Sequence, residues 1–316
     1  MIEIFNLALP FFGLIFIGMA ATKLRSFGEE GLAWLNVFVF YFALPALIFL
    51  LVSRAPFEKL IDWPFITATT TATGLVFLIM LAVSMIVLRA PLKTAALLGC
   101  AGSYGNVGYM GPPLAVAFFG PQAAVPAALV FCFDCALQFI LTPMLAAFGH
   151  ERDEDVHWGE LPWRTVRQVL APPFIVAPAL GGLASWMEFR GPEALETTLQ
   201  MLMNAAGPVA LFAMGVTVGT RKIGRMAAEL PAVVFAKLIL HPVLALLIVS
   251  QVPGIDPLWF HVAVMMAALP TATNAFILAS QYRTKVETAS SAVIVTTGLS
   301  ALTVPALIYA IRSGWL

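Results

Sequence analysis

The sequence predicts an all-α integral membrane protein. It has ten transmembrane helices in two inverted five-helix repeats, with helices four and nine broken and crossed. Three observations carry that expectation. The chain of 316 residues is 60% hydrophobic and only 11% charged, whereas a soluble domain carries about 25% charged residues. Apolar stretches of ~20 residues, the length that spans a bilayer, recur along the chain. Two of these stretches are interrupted by residues that lipid excludes.

The apolar stretches fall at roughly 3–22, 32–52, 64–88, 94–118, 122–147, 168–188, 197–219, 229–250, 258–281 and 288–312, each near the ~20 residues of a membrane helix. The first lacks the basic start of a signal peptide and is followed by Lys23 and Arg25, so it is expected to persist as a helix. The formal charge of zero hides an alternation. One set of loops holds Lys23, Arg25, Arg89, Lys93, Arg152, Arg164, Arg167, Arg221, Lys222, Arg225, Arg283 and Lys285; the other holds only Arg54, Lys59, Arg190 and Arg312. The positive-inside rule places the first set in the cytoplasm. Both termini are then expected outside the cytoplasm, in a multi-pass protein of a bacterial inner membrane. Five spans are an odd number of crossings, so a second set of five starts from the opposite side. The expected division is a first repeat over 1–147, a cytoplasmic connector over 148–167 and a second repeat over 168–316. Matched prolines support it: Pro45 with Pro208, Pro113 with Pro270, and Pro143 with Pro305.

The fourth stretch contains GSYGNVGYMGPP, Gly102–Pro113, and the ninth contains AALPTATNA, Ala267–Ala275. Proline removes a backbone donor and clashes with the preceding turn, and glycine holds a helix poorly. Irregular backbone at membrane depth is tolerated only inside protein or beside a water-filled cavity. Paired interrupted spans in two halves point to the binding site of a transporter. Half-helices meeting there present free N–H groups and the positive end of a helix dipole, which suit an anion. Gly105, Asn106, Tyr109, Pro113, Pro270, Thr271, Thr273 and Asn274 are the candidate substrate-binding residues. With no arginine cluster in the spans, a small organic carboxylate suits the site better than a phosphate. Polar groups here also have to satisfy the broken backbone.

Two ionisable residues fall in mid-span: Asp134 in VFCFDCALQF and Lys237 in VFAKLILHP. A charge at mid-membrane costs about 3 kcal/mol on insertion scales. Each is the other's natural partner, either as a structural ion pair or as a proton or ion relay. Gln138 and His241 stand one turn from them and complete the candidate coupling set. The threonines of TATTTAT, Thr67–Thr73, line a polar path or bond back to their own helix. Cys132 and Cys135 have redox or zinc spacing without a second ligand pair, so no metal or cofactor is expected, nor a nucleic-acid partner. The expected activity is secondary transport of a small organic carboxylate, coupled to a proton or alternatively to sodium. The scattered histidines His150, His157, His241 and His261 argue against an intramembrane enzyme.

Four stretches resemble the auxin efflux carrier family in its bacterial form: FVFYFALPALIF, YGNVGYMGPPLA, AGPVALFAMGV and ALPTATNAFILASQY. The resemblance implies ten helices in inverted repeats, crossing at positions corresponding to Pro113 and Pro270. It also implies a scaffold of helices 1, 2, 6 and 7 that forms a homodimer, a mobile unit of helices 3–5 and 8–10 that moves as an elevator, and organic-anion substrates. Asn106 matches the family asparagine that contacts the substrate carboxylate. Where relatives often read Gly-Leu-Pro, this chain reads Gly111-Pro112-Pro113.

Overall fold

The computed structural model describes residues 2–24, 29–57, 60, 62–148, 173–220 and 227–315. The connector expected over 148–167 lies, but for Phe148, outside the described residues. Among the described residues the regular elements are all helices, and there is one isolated antiparallel bridge, between Gly105 and Thr271. In chain order the α-helices are α1 (Ile2–Leu24), α2 (Glu29–Phe38), α3 (Leu44–Ser53), α4 (Trp63–Ile86), α5 (Leu92–Ser103), α6 (Gly111–Phe119) and α7 (Ala124–Phe148). They continue with α8 (Pro173–Trp186), α9 (Glu193–Thr220), α10 (Leu230–Phe235), α11 (His241–Val249), α12 (Pro257–Ala267), α13 (Thr273–Gln281) and α14 (Val286–Arg312).

Among the described residues, six helical segments are long and apolar enough to cross a membrane: Glu30–Ser53, Trp63–Ile86, Pro121–Phe148, Glu193–Thr220, Leu230–Val249 and Val286–Arg312. The first expected stretch holds the 23-residue α1, and the fourth, sixth and ninth hold shorter helices. Over the fourth, α5 stops at Ser103 and α6 starts at Gly111; over the ninth, α12 stops at Ala267 and α13 starts at Thr273. Two long segments contain a π turn, Val39–Ala43 and Ala236–Leu240, each ending two residues before a proline, Pro45 and Pro242. Proline removes one donor and crowds the turn before it, and the wider turn relieves both. Such turns recur at functional sites, and Lys237 lies in the second.

The chain forms two compact units. The first comprises Met1–Trp63, Gly108–Leu129 and Leu170–Arg221; the second comprises Pro64–Val107, Val130–Val169 and Lys222–Leu316. In the first unit α1 packs on α9, and α3 packs on α8 and α9. Small residues set the α1–α9 approach. The Cα atom of Gly215 is 3.0 Å from where a Cβ on Gly18 would stand, and a Cβ on Gly215 would overlap the carbonyl oxygen of Ile15. Gly215 and Gly219 form a GxxxG pair, the spacing that lets membrane helices approach backbone to backbone. Ala206, Ala210 and Ala213 of α9 are buried against Val39, Ala43, Leu44 and Leu47.

In the second unit α14 packs on α10, α12 and α13, and α5 packs on α10 and α13. Glu229, at the N-terminus of α10, accepts from Lys285 Nζ at 2.7 Å and from Thr288 Oγ1 at 3.1 Å, tying α10 to α14. Burial pushes the Glu229 carboxyl up, but these two partners and its own backbone N–H outweigh it and hold it below its ordinary 4.5. A depressed carboxylate contributes stability above its unfolded pKa and loses that contribution as the pH falls below it.

Gly215→Leu is expected to destabilise the protein by about 3 kcal/mol or more, because backbone cannot move aside for the added side chain. Gly13→Ala, where a Cβ meets nothing within 4 Å, should leave thermal unfolding in detergent unchanged. Equal melting temperatures for the two variants would refute this view of the α1–α9 contact.

Candidate functional site

Within the second unit the two irregular segments pair with each other. Tyr104 leaves α5 in an extended conformation. Asn106 N donates to Pro270 O at 2.7 Å and Ala272 N donates to Tyr104 O at 2.9 Å, on either side of the Gly105–Thr271 bridge. Thr271 is anchored twice more: its N–H donates to Thr296 Oγ1 at 2.9 Å, and its hydroxyl donates to Ala101 O at 2.9 Å. These bonds answer the problem that the glycines and prolines create, since each unpaired buried backbone group carries a desolvation cost of about 1–3 kcal/mol.

The two N-terminal ends beyond the irregular segments differ. In α6, Pro112 and Pro113 stand in the first turn, positions that tolerate proline because their N–H groups are orphaned anyway. That end therefore lacks two donors. In α13 the first turn is Thr273–Asn274–Ala275, and no side chain caps it. The Thr273 hydroxyl is buried with no hydrogen-bond partner among the described residues. Free N–H groups, the positive end of the helix dipole and an unused hydroxyl thus coincide at α13, which favours a carboxylate there. Beside it Asn274 Nδ2 donates to Tyr104 Oη at 3.3 Å, and Tyr104 Oη lies 2.9 Å from Cys135 Sγ.

The ionisable residues form a chain. Lys237, fully buried, donates from Nζ to Ala267 O at 2.6 Å, and its Nζ lies 2.8 Å from His241 Nδ1. His241 Nε2 is 3.1 Å from Thr73 Oγ1, which donates to Asp134 Oδ1 at 2.9 Å. One assignment satisfies every member. The ammonium donates to Nδ1, so His241 carries its proton on Nε2 and donates to Thr73, whose own proton goes to Asp134. Donors then point one way from Lys237 to Asp134. The bond to Ala267 O uses a carbonyl at the C-terminus of α12, the negative end of that helix dipole. Gly105 completes the enclosure: a Cβ there would lie 3.4 Å from Lys237 Nζ.

Several expectations change in detail. Asp134 and Lys237 do not form a direct salt bridge; Thr73 and His241 stand between them. Gln138 does not bond to Asp134. Its Nε2 donates to Ser103 Oγ at 2.8 Å, and its Oε1 accepts from Thr142 at 3.4 Å. The backbone pairing is made by Tyr104 and Asn106 on either side of Gly105, and Pro113 lies in the first turn of α6. Tyr109 belongs to the first unit, where its hydroxyl donates to Asn36 Oδ1 at 2.6 Å and its ring stands edge-on to Phe40. Ser103 and Thr296 are members that sequence reasoning did not single out, and Thr73 is named there only within the run Thr67–Thr73. Thr69 Oγ1 bonds back to its own helix at Phe65 O and Ile66 O, whereas Thr73 also reaches across to α7.

Comparison with known proteins converges on one assignment. A family described as "Membrane transport protein" matches residues 3–308. The chain is 44% identical over 315 residues to a "Putative malonate transporter" of Rhizobium meliloti (strain 1021), covering 99% of this chain and 98% of that one. It is 24% identical over 313 residues to the "Uncharacterized transporter YfdV" of Escherichia coli (strain K12), covering 96% of each. A shorter match, 28% over 140 residues, joins 42% of the chain to 32% of the "Probable auxin efflux carrier component 9" of Oryza sativa subsp. japonica. The protein is a multi-pass membrane transporter belonging to the membrane transport protein family, that of the auxin efflux carriers.

Proposed function

We propose that the protein carries a small dicarboxylate such as malonate across the bacterial inner membrane and couples that movement to a proton. The observation that carries the reading is the pairing of the two irregular segments. It sets an uncapped helix end and a spare hydroxyl at Thr273 beside a buried chain of ionisable groups that ends on Asp134. The similarity to a relative named a malonate transporter supports the choice of substrate. One carboxylate of the anion takes the N–H groups of α13 and the Thr273 hydroxyl, with Asn106 and Asn274 beside it. Binding shifts the proton on the Lys237–His241–Thr73–Asp134 chain, and the potential does the work: one charge moved through 100 mV is worth about 2.3 kcal/mol.

The same proposal covers the arrangement in the membrane. The ten expected spans form two inverted repeats, with both termini outside the cytoplasm. Helices 1, 2, 6 and 7 of the ten are the scaffold and the dimerising part. Helices 3–5 and 8–10 carry the site and move as an elevator. A sodium-coupled carrier is the alternative, for which the freed carbonyls and threonine hydroxyls would supply the oxygen ligands.

Four outcomes test the reading in vesicles containing the purified protein. Labelled malonate is expected to accumulate under an imposed pH gradient without sodium; uptake that needs sodium at fixed pH would favour the alternative. Thr73→Val should abolish gradient-driven accumulation while malonate still binds. Thr69→Val, whose hydroxyl bonds only its own helix, should transport normally. Thr273→Val should raise the KM for malonate about tenfold, the effect of losing one hydrogen bond to a charged group. An unchanged KM would remove the carboxylate from α13.

A further inference from the structure

In the first unit, the segment following α3 and the C-terminal part of α8 frame two adjoining cavities. One, of about 400 Å³, is apolar, with Val52, Leu60, Val125, Ala179, Gly182 and Leu183 in its wall. The other, of about 470 Å³, is polar and holds Arg54, Arg190, Glu188 and Ser185. Phe57 and Trp186 line both, so apolar space passes directly into charged space.

The depth of the pair follows from the helix that lines it. Trp186 ends α8 and Trp63 begins α4, and both are more than half exposed. Exposed tryptophans at helix ends mark the headgroup level of a bilayer. Ala179 and Gly182 precede Trp186 by seven and four residues, roughly 10 and 6 Å along the helix at ~1.5 Å per residue. The apolar cavity therefore stands at acyl-chain depth and the polar one at phosphate depth.

The charges fit a headgroup. On the face that the charge alternation leaves poor in basic residues, Arg54 and Arg190 both line this one cavity. Arg54 Nη2 is 3.4 Å from Glu196 Oε2, and Arg190 Nη1 donates to Ser53 O at 3.3 Å. A guanidinium has five N–H donors, so both forks keep donors for a phosphate. Glu188 adds a carboxylate to the same wall. Among the described residues two arginines stand against two glutamates, Glu188 in the wall and Glu196 on Arg54, a balance that matches a zwitterion better than a net anion.

We propose that these cavities bind an aminophospholipid, phosphatidylethanolamine, as a specific site separate from the transport site. One acyl chain fills the apolar cavity, Arg54 and Arg190 hold the phosphate, and the ammonium donates to Glu188. Phosphatidylcholine has the same charge but no N–H for Glu188; phosphatidylglycerol has no cation at all.

Native mass spectrometry of the full chain in detergent, with the three lipids added at matched acyl chains, tests the site. Phosphatidylethanolamine is expected to bind about tenfold more tightly than phosphatidylcholine, the value of a charge-assisted hydrogen bond. Arg54→Gln with Arg190→Gln should remove most of that binding with the melting temperature retained. Gly182→Leu, whose Cβ meets nothing nearer than Leu60 Cδ1 at 3.5 Å, should fill the apolar cavity and lower adducts of all three lipids. Equal adducts in wild type and both variants would overturn the proposal. So would competition by inorganic phosphate, which would mark a soluble-anion site. A switch from dimer to monomer in Gly182→Leu with lipid adducts unchanged would overturn it too, since a second copy would then cover this face.

Discussion

A backbone that leaves its helix inside a hydrocarbon layer must find its hydrogen bonds within the protein, and the rest of the second unit is built around that constraint. Tyr104, Asn106, Pro270 and Ala272 meet it by pairing one irregular segment with the other. Once the segments are locked together, α12 ends and α13 begins at fixed positions. The first end supplies a carbonyl, Ala267 O, for the ammonium of Lys237; the second supplies free N–H groups beside Thr273. A cation and a prospective anion are thus accommodated by opposite ends of helix dipoles, without a fixed countercharge in contact with either.

In the proposed coupling, the indirect link between Lys237 and Asp134 has a mechanistic consequence. A direct salt bridge gains Coulomb energy but offers no path. A chain of four groups, each donating to the next, can reverse its donors one after another as a proton enters at one end. All four side chains are buried. The π turn at Ala236–Leu240 places Lys237 and His241 together on this chain, and Pro242 is the sequence feature that accompanies the turn.

Much of this was legible in the sequence because it rests on composition and on unusual residues. Hydropathy located the helices to within a few residues. Gly105, Asn106 and Pro270 announced the interruptions, and Asp134 and Lys237 stood out as charges where lipid allows none. What stayed hidden was partnership. Thr73 and Thr69 are alike in sequence; only the packing of α4 against α7 shows that one reaches Asp134 and the other bonds its own helix. Gln138, one turn from Asp134, turns instead toward Ser103. Tyr109 sits in the same glycine-rich run as Asn106, yet its ring packs beside Phe40 and its hydroxyl bonds to Asn36. Pro113 looked like the break itself, whereas a proline in a first turn is compatible with the start of a helix. Adjacency in sequence does not fix direction once a helix is interrupted.

The central claim is that substrate binding moves a proton onto or off Asp134. Infrared difference spectroscopy of the reconstituted protein, with and without malonate, reads that event directly through the carboxylic acid C=O stretch. The account predicts a malonate-induced band in that region that is absent in Asp134→Asn and in Thr73→Val. A spectrum with no carboxylic acid change, or the same change in Asp134→Asn, would contradict it.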